Sequence, residues 1–187
     1  MGVRIVLGIL GIAVILFILT ALHIFSGSSK TPNPAMPENT SNTSKNVSVI
    51  YIAYSPSCPH CYHLLEYVSK LNLKNVSILT TQNGREVYAL LKKYNYNWDF
   101  GVPIVFTEVN GKLIVIKGYP SKEQDKEGYF MGEEYERKLC ESFGGKKETS
   151  NGKYLFCWVK SNEILGNKYA IDYLINLCEE NLCRMEK

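Results

Sequence analysis

Apolar residues fill almost every position from 5 to 22, broken only by Gly8, Gly11 and Thr20, and no charge falls between Arg4 and Lys30. A run of that length can cross a bilayer as a helix. It predicts a transmembrane anchor over residues 1–25. A signal peptide cut near Ser26-Gly27-Ser28 is the alternative. Arg4 gives the amino-terminal side a short positive flank, which favours that end inside. Residues 26–46 then turn to Pro, Ser, Thr and Asn with almost no large apolar side chain, the composition of a flexible linker.

From residue 47 the pattern becomes that of a folded domain. Residues 47–54 are rich in β-branched and aromatic side chains and predict a buried strand. Pro56 and Ser57 interrupt it. Leu64, Leu65, Val68 and Leu71 then recur at helical spacing, with Ser57 as the expected cap and Pro59 suited to the first turn. Residues 76–79 predict a second strand. Val87, Leu90, Leu91 and Tyr94 mark one face of a second helix. Residues 103–109 and 113–116 predict two antiparallel strands joined at Asn110-Gly111, a strong hairpin signal. Strand–helix–strand order favours a parallel sheet portion covered by helices. The hairpin adds an antiparallel edge, so the expected class is mixed, three-layer α/β.

Beyond residue 121 the signals weaken. Residues 133–143 predict a helix with Tyr135 and Leu139 on one side. Residues 144–152 predict a loop, 154–159 a strand, and 168–178 a helix with Ile171, Leu174, Leu177 and Cys178 as its stripe.

The chain has 187 residues and a formal charge of +3, with no basic block or Arg-rich face that would mark a nucleic-acid partner. About 140 residues follow the linker, enough for one domain with its own core. Six cysteines, an even number, suit an oxidising compartment, which places the domain outside the cytoplasmic membrane. Asn39, Asn42, Asn46 and Asn75 each open an Asn-x-Ser/Thr triplet, a glycosylation acceptor in an exported chain.

The chemistry concentrates at Cys58-Pro59-His60-Cys61, where the first strand ends and the first helix begins. Unpaired amides and the dipole at a helix N-terminus stabilise a thiolate more than a thiol. The leading thiol is therefore expected to titrate at roughly 4–6.5. A protonated His60 adds to the effect. A low pKa makes Cys58 a good leaving group and the pair oxidising.

The strand, Cys58-Pro59-His60-Cys61, the helix, and Gly101-Val102-Pro103 before a later strand resemble the thioredoxin superfamily. The Pro59-His60 dipeptide resembles its DsbA-like disulfide oxidases. The resemblance covers about residues 47–118 and implies a thioredoxin-like three-layer fold with a mixed sheet. It implies that Cys58 is the exposed nucleophile, Cys61 the buried resolving cysteine, Pro59 and His60 modulators of the pair, and Val102 with a cis Pro103 a substrate-binding loop. It also implies a thiol–disulfide oxidoreductase without cofactor or metal, acting on exported protein thiols or disulfides and recycled by a membrane redox partner. Two departures stand out. Ser57 replaces the tryptophan common before the first cysteine in thioredoxins. The helical insertion usual in DsbA-like enzymes is missing between the second helix and Pro103, and the extra sequence follows the hairpin instead.

The resulting organisation is an anchor at 1–25, a linker at 26–46, a thioredoxin-like core at 47–120, and a disulfide-stabilised extension at 121–187 that completes the domain. The protein is read as a single-pass membrane protein with its catalytic domain extracytoplasmic. The leading direction is oxidation. A reductase or isomerase of the same fold, and a noncatalytic peptide-binding or chaperone module, are the alternatives. Zinc at the Cys pair would need two further ligands at metal-like spacing, which the sequence does not offer. Tyr54, Tyr62, Val102 and Tyr119 are candidates for an apolar rim, and His63 reads as a first-turn surface residue. Cys140, Cys157, Cys178 and Cys183 are read as structural, with three pairings open. The sequential one requires the last helix to end near Glu180. A redox relay to Cys61 is the other role considered for them.

Overall fold

The computed structural model describes residues 47–180 and 182–185. The anchor run at 5–22, the linker, and the triplets at Asn39, Asn42 and Asn46 lie outside these. Among the described residues no helix is long and apolar enough to cross a membrane.

The chain runs β1 (Ser48–Ala53), α1 (Pro59–Ser69), β2 (Val76–Thr81), α2 (Gly84–Lys92), β3 (Ile104–Val109), β4 (Lys112–Lys117), α3 (Glu133–Ser142), β5 (Lys146–Ser150), β6 (Lys153–Lys160), β7 (Glu163–Leu165) and α4 (Lys168–Glu179). The seven strands form one sheet in the order β2-β1-β3-β4-β7-β6-β5. β1 and β2 are parallel, as a strand–helix–strand crossover requires; β3 runs antiparallel to β1 and to β4. This half of the sheet has thioredoxin-type topology.

Strict alternation in β1 and β4 builds two cores at once. Ile50, Ile52 and Ile116 face the helices α1 and α4, packing on Leu64, Val68, Ile171 and Leu174. Their neighbours Tyr51, Ala53 and Val115 face α2, packing on Val87, Leu90, Leu91 and Trp98. At the hairpin turn Asn110 and Gly111 both have positive φ, 51° and 78°, the backbone that this dipeptide tolerates.

The hairpin does not end the sheet. β7 pairs in parallel with β4, and β6 and β5 follow antiparallel, so the segment after β4 widens the sheet by three strands. Residues 144–152, expected as a loop, contain β5. Its sequence Lys-Lys-Glu-Thr-Ser has no apolar face because it is an outer strand bonded on one side only. The buried face of α3 is Glu136 and Cys140, while Tyr135 is exposed. That corrects the expected Tyr135/Leu139 face: α3 packs through the Cys140–Cys157 disulfide, together with Phe130 and Tyr154.

The four later cysteines pair sequentially. Cys140–Cys157 joins α3 to β6 with Cα atoms 5.6 Å apart. Cys178–Cys183 spans 4.7 Å across the end of α4, which stops at Glu179. These disulfides fit an oxidising, extracytoplasmic environment.

Candidate active site

β1 delivers the chain through Tyr54 and Ser55 to Cys58, and the helix starts there. Cys58 itself is the N-cap of α1, not Ser57: its Sγ accepts a hydrogen bond from the Cys61 amide at 3.1 Å. Ser57 instead faces the Ser55 hydroxyl, 3.1 Å away. Pro59 occupies the first helical position, where an N–H would have no helical partner. Cys58 and Cys61 form a disulfide with Cα atoms 5.2 Å apart. The two sulfurs differ in access: Cys58 is half-buried and Cys61 is fully buried. Cys58 is therefore the sulfur that solvent reaches, and Cys61 lies behind it.

The loop before β3 closes the other side. Its Val102–Pro103 peptide bond is cis, and the Val102 carbonyl oxygen lies 3.7 Å from Cys58 Sγ. When the pair is reduced, a Cys58 thiol can donate to it. Pro103 is buried and leads directly into β3.

Both histidines of α1 point at the turn after β4. His60 Nδ1 lies 2.6 Å from the Tyr119 carbonyl oxygen, and His63 Nδ1 lies 2.9 Å from that of Pro120. A carbonyl only accepts, so each ring carries its proton on Nδ1 and donates. His63 is not a surface residue as expected. It is 3% exposed, stacks on Tyr129 at 4.3 Å, and has Nε2 3.7 Å from Asp125 Oδ2. Burial works to raise the Asp125 carboxyl. Backbone donors at Tyr129 and Phe130, with His63 beside it, outweigh burial and hold it below the usual range. Tyr119 is also misplaced by the sequence reading. Its ring is buried against Tyr67 and Tyr129, so it gives the site a carbonyl and no rim. Tyr62 is exposed, and the Tyr54 hydroxyl accepts from Gln82 Nε2 at 2.7 Å. No signal in the sequence pointed to the burial of His63 or to Asp125, because the segment that covers His63 and contains Asp125, residues 119–130, carries no helix or strand.

The structure thus gathers Cys58, Pro59, His60, Cys61, Val102 and Pro103 at one end of β1 and β3. The other disulfides lie elsewhere. Cys183 bridges to Val109, at the opposite end of β3 from Pro103 and about 17 Å along it from Ile104. Ser48, at the start of β1, donates to the Cys178 carbonyl at that same far end. Among the described residues no group of three or more His, Cys, Asp or Glu side chains is placed to hold a metal ion.

A disulfide of two sulfurs with unequal access, the outer one bonded to a helix-start amide, can exchange with an external thiol and be re-formed by its own partner. No known family, curated protein or solved structure matches the chain at a significant level.

Proposed function

We propose that this thiol–disulfide oxidoreductase donates disulfides to exported proteins in the manner of DsbA-like oxidases, with Cys58 as the reacting sulfur and Cys61 as the leaving and resolving one. The observation that carries the reading is the 3.1 Å bond from the Cys61 amide to Cys58 Sγ at the start of α1. That donor, with the helix dipole behind it, favours negative charge on Cys58 once the disulfide opens. A stable Cys58 thiolate favours the reduced pair and so drives oxidation of the substrate.

The cycle balances as follows. A substrate thiolate attacks Cys58 Sγ; the Cys58–Cys61 bond breaks, and Cys61 leaves with its electron pair and takes up a proton. A second substrate thiolate attacks the substrate sulfur of the mixed disulfide. Cys58 departs as the thiolate. The substrate loses two electrons, and the enzyme pair gains them. His60, held by the Tyr119 carbonyl, stands between the thiols as their modulator, and Pro59 leaves that first turn without a competing N–H. Val102 and Pro103 line the substrate side of Cys58. Residues 1–25 serve as the anchor that keeps the domain outside the membrane, where a membrane redox partner re-oxidises the pair.

The reduction potential of Cys58–Cys61 tests the direction. A value near about −120 mV supports disulfide donation, and one near about −270 mV replaces it by reduction. Cys58→Ser tests catalysis: an unchanged rate of oxidation of a reduced protein would defeat the reading. Cys61→Ser is expected to accumulate mixed disulfides with exported proteins, visible as higher-mass, reductant-sensitive species.

A further inference from the structure

We propose that His63 and Asp125 are positioning residues for the redox pair: they fasten the segment after β4 onto α1 and so hold the Tyr119 carbonyl that orients His60. This rests on the exchange chemistry proposed for Cys58 and names what keeps its modulator in place.

His60 and His63 stand three residues apart on α1, a spacing that puts both on one helix face. They meet consecutive carbonyls. His60 Nδ1 donates to Tyr119 at 2.6 Å, and His63 Nδ1 donates to Pro120 at 2.9 Å. The two bonds do different work. His60 is half-buried and lies within the short ring of chain that the Cys58–Cys61 disulfide closes. His63 is buried, and its ring is given over to the segment that supplies both carbonyls. It stacks on Tyr129 at 4.3 Å and meets Tyr119 edge-on at 5.9 Å, and its Nε2 lies 3.7 Å from Asp125 Oδ2.

That segment has no helix or strand to fix it. Asp125 ties it to itself: its Oδ1 accepts from the Glu127 and Phe130 amides, each at 3.2 Å, and its own amide donates to the Ser121 carbonyl at 3.0 Å. His63 ties the folded segment to α1. Ahead of it, the Gly118 amide donates to the Pro103 carbonyl at 3.0 Å, so the same turn also meets the cis-proline loop.

Packing alone does not call for a histidine at 63. The rings of Tyr119 and Tyr129 would pack on an apolar side chain, and a buried imidazole costs desolvation unless its nitrogens find partners. Both partners that His63 finds belong to residues 120–125, and neither belongs to the sheet. What the histidine adds is therefore a fixed position for the turn, and with it for the Tyr119 carbonyl. A carbonyl held there keeps the His60 ring in the first turn. The charge of a protonated His60 then acts from a fixed place on the Cys58 thiolate. With the turn unfastened, the ring swings away, the thiolate loses that support, and the pair becomes less oxidising. His63 thus acts on the sulfurs through His60.

The test equilibrates the full chain and its variants with glutathione redox buffers at pH 6 and measures the oxidised fraction of Cys58–Cys61 by alkylation and mass spectrometry. His63→Leu is expected to make the pair roughly tenfold less oxidising, a shift of about 30 mV. His63→Asn keeps an amide nitrogen close to the place of Nδ1 and is expected to recover most of that loss. In a His60→Ala background, His63→Leu is expected to add less than about twofold. Asp125→Asn keeps the Oδ1 acceptor and drops the charge; a loss of roughly threefold is expected, and this variant carries the comparison if His63→Leu does not fold. An unchanged equilibrium constant in the folded variants overturns the positioning role. So does a loss that persists in full without His60, or one that His63→Asn fails to recover. A parent disulfide that does not exchange with glutathione overturns the exchange chemistry, and the positioning role with it.

Discussion

Asn167 joins two buried tasks through one side chain: its Nδ2 donates to the Glu136 carboxylate, and its Oδ1 accepts from the Ala170 amide at 2.9 Å, capping α4. Asn167 Nδ2 also reaches the Leu155 carbonyl at 2.9 Å, and the Met131 amide donates to Glu136 at 3.1 Å. A carboxyl on α3 thereby fixes the start of the helix that covers β1.

Glu136 is 4% exposed, and burial pushes its carboxyl up to about 7, against the pull of its two donors. Glu127 adds to the rise, while Arg137 and Tyr154 are the other ionisable groups at hand. An acid raised in the folded state binds more protons there than when unfolded. Its stabilising contribution is complete below about pH 4.5 and is lost as pH climbs through about 7. Relative to Glu136→Gln, the parent should lose about 1–3 kcal/mol between pH 5 and 8. Urea denaturation of both proteins across that range measures it; parallel stability curves would show that Glu136 does not titrate there.

The two structural disulfides should separate in size of effect. Cys140–Cys157 spans 17 residues and Cys178–Cys183 only 5. Chain-entropy arithmetic assigns about 3 kcal/mol to the first and about 2 to the second. Paired Cys→Ser variants should lose stability in that order and keep full turnover. Lost turnover in a still-folded variant would revive a relay to Cys61, which the position of Cys183 at the far end of β3 argues against.

Tyr119 and Tyr67 offer a matched comparison in one aromatic cluster. The Tyr67 hydroxyl donates to Asp172, whereas the buried Tyr119 hydroxyl has no partner among the described residues. Tyr67→Phe should cost about 1–2 kcal/mol, and Tyr119→Phe should be neutral or raise stability by about 1 kcal/mol. Thermal unfolding of the two variants decides it.

Gly166 is required by contact. Its amide donates to the Lys117 carbonyl at 2.9 Å, and a Cβ there would overlap the Gly118 carbonyl oxygen. Gly166→Ala should therefore part β7 from β4 and cost about 2–4 kcal/mol. A denaturation midpoint equal to the parent's would mean that the two strands separate without penalty.

The half of the sheet built on two-sided burial was legible in the sequence, since β1, β3 and β4 alternate between two cores and Asn110-Gly111 announces their turn. The Cys58–Cys61 disulfide was legible because the four residues stand where a strand gives way to a helix. β5 was not, because a polar outer strand has no apolar face to display. β7 was not, because three residues are too few for periodicity. His63 and Tyr119 were misread for one reason. His63 looks solvent-facing on its helix unless the irregular segment covering it is known, and Tyr119 lies in that segment, residues 119–130, which has no period of its own.

The placement of α4 has a consequence for biogenesis. Ile50 and Ile52, near the start of the domain, are covered only in part, by Leu64 and Val68 of α1, until Ile171 and Leu174 arrive. A chain emerging from the ribosome or a translocation channel keeps that greasy surface open until nearly the whole domain has been delivered. Completion then waits on contacts between residues more than a hundred positions apart, which favours slow, late closure. The protein proposed to help others fold would itself need shelter while its last helix is still on the way.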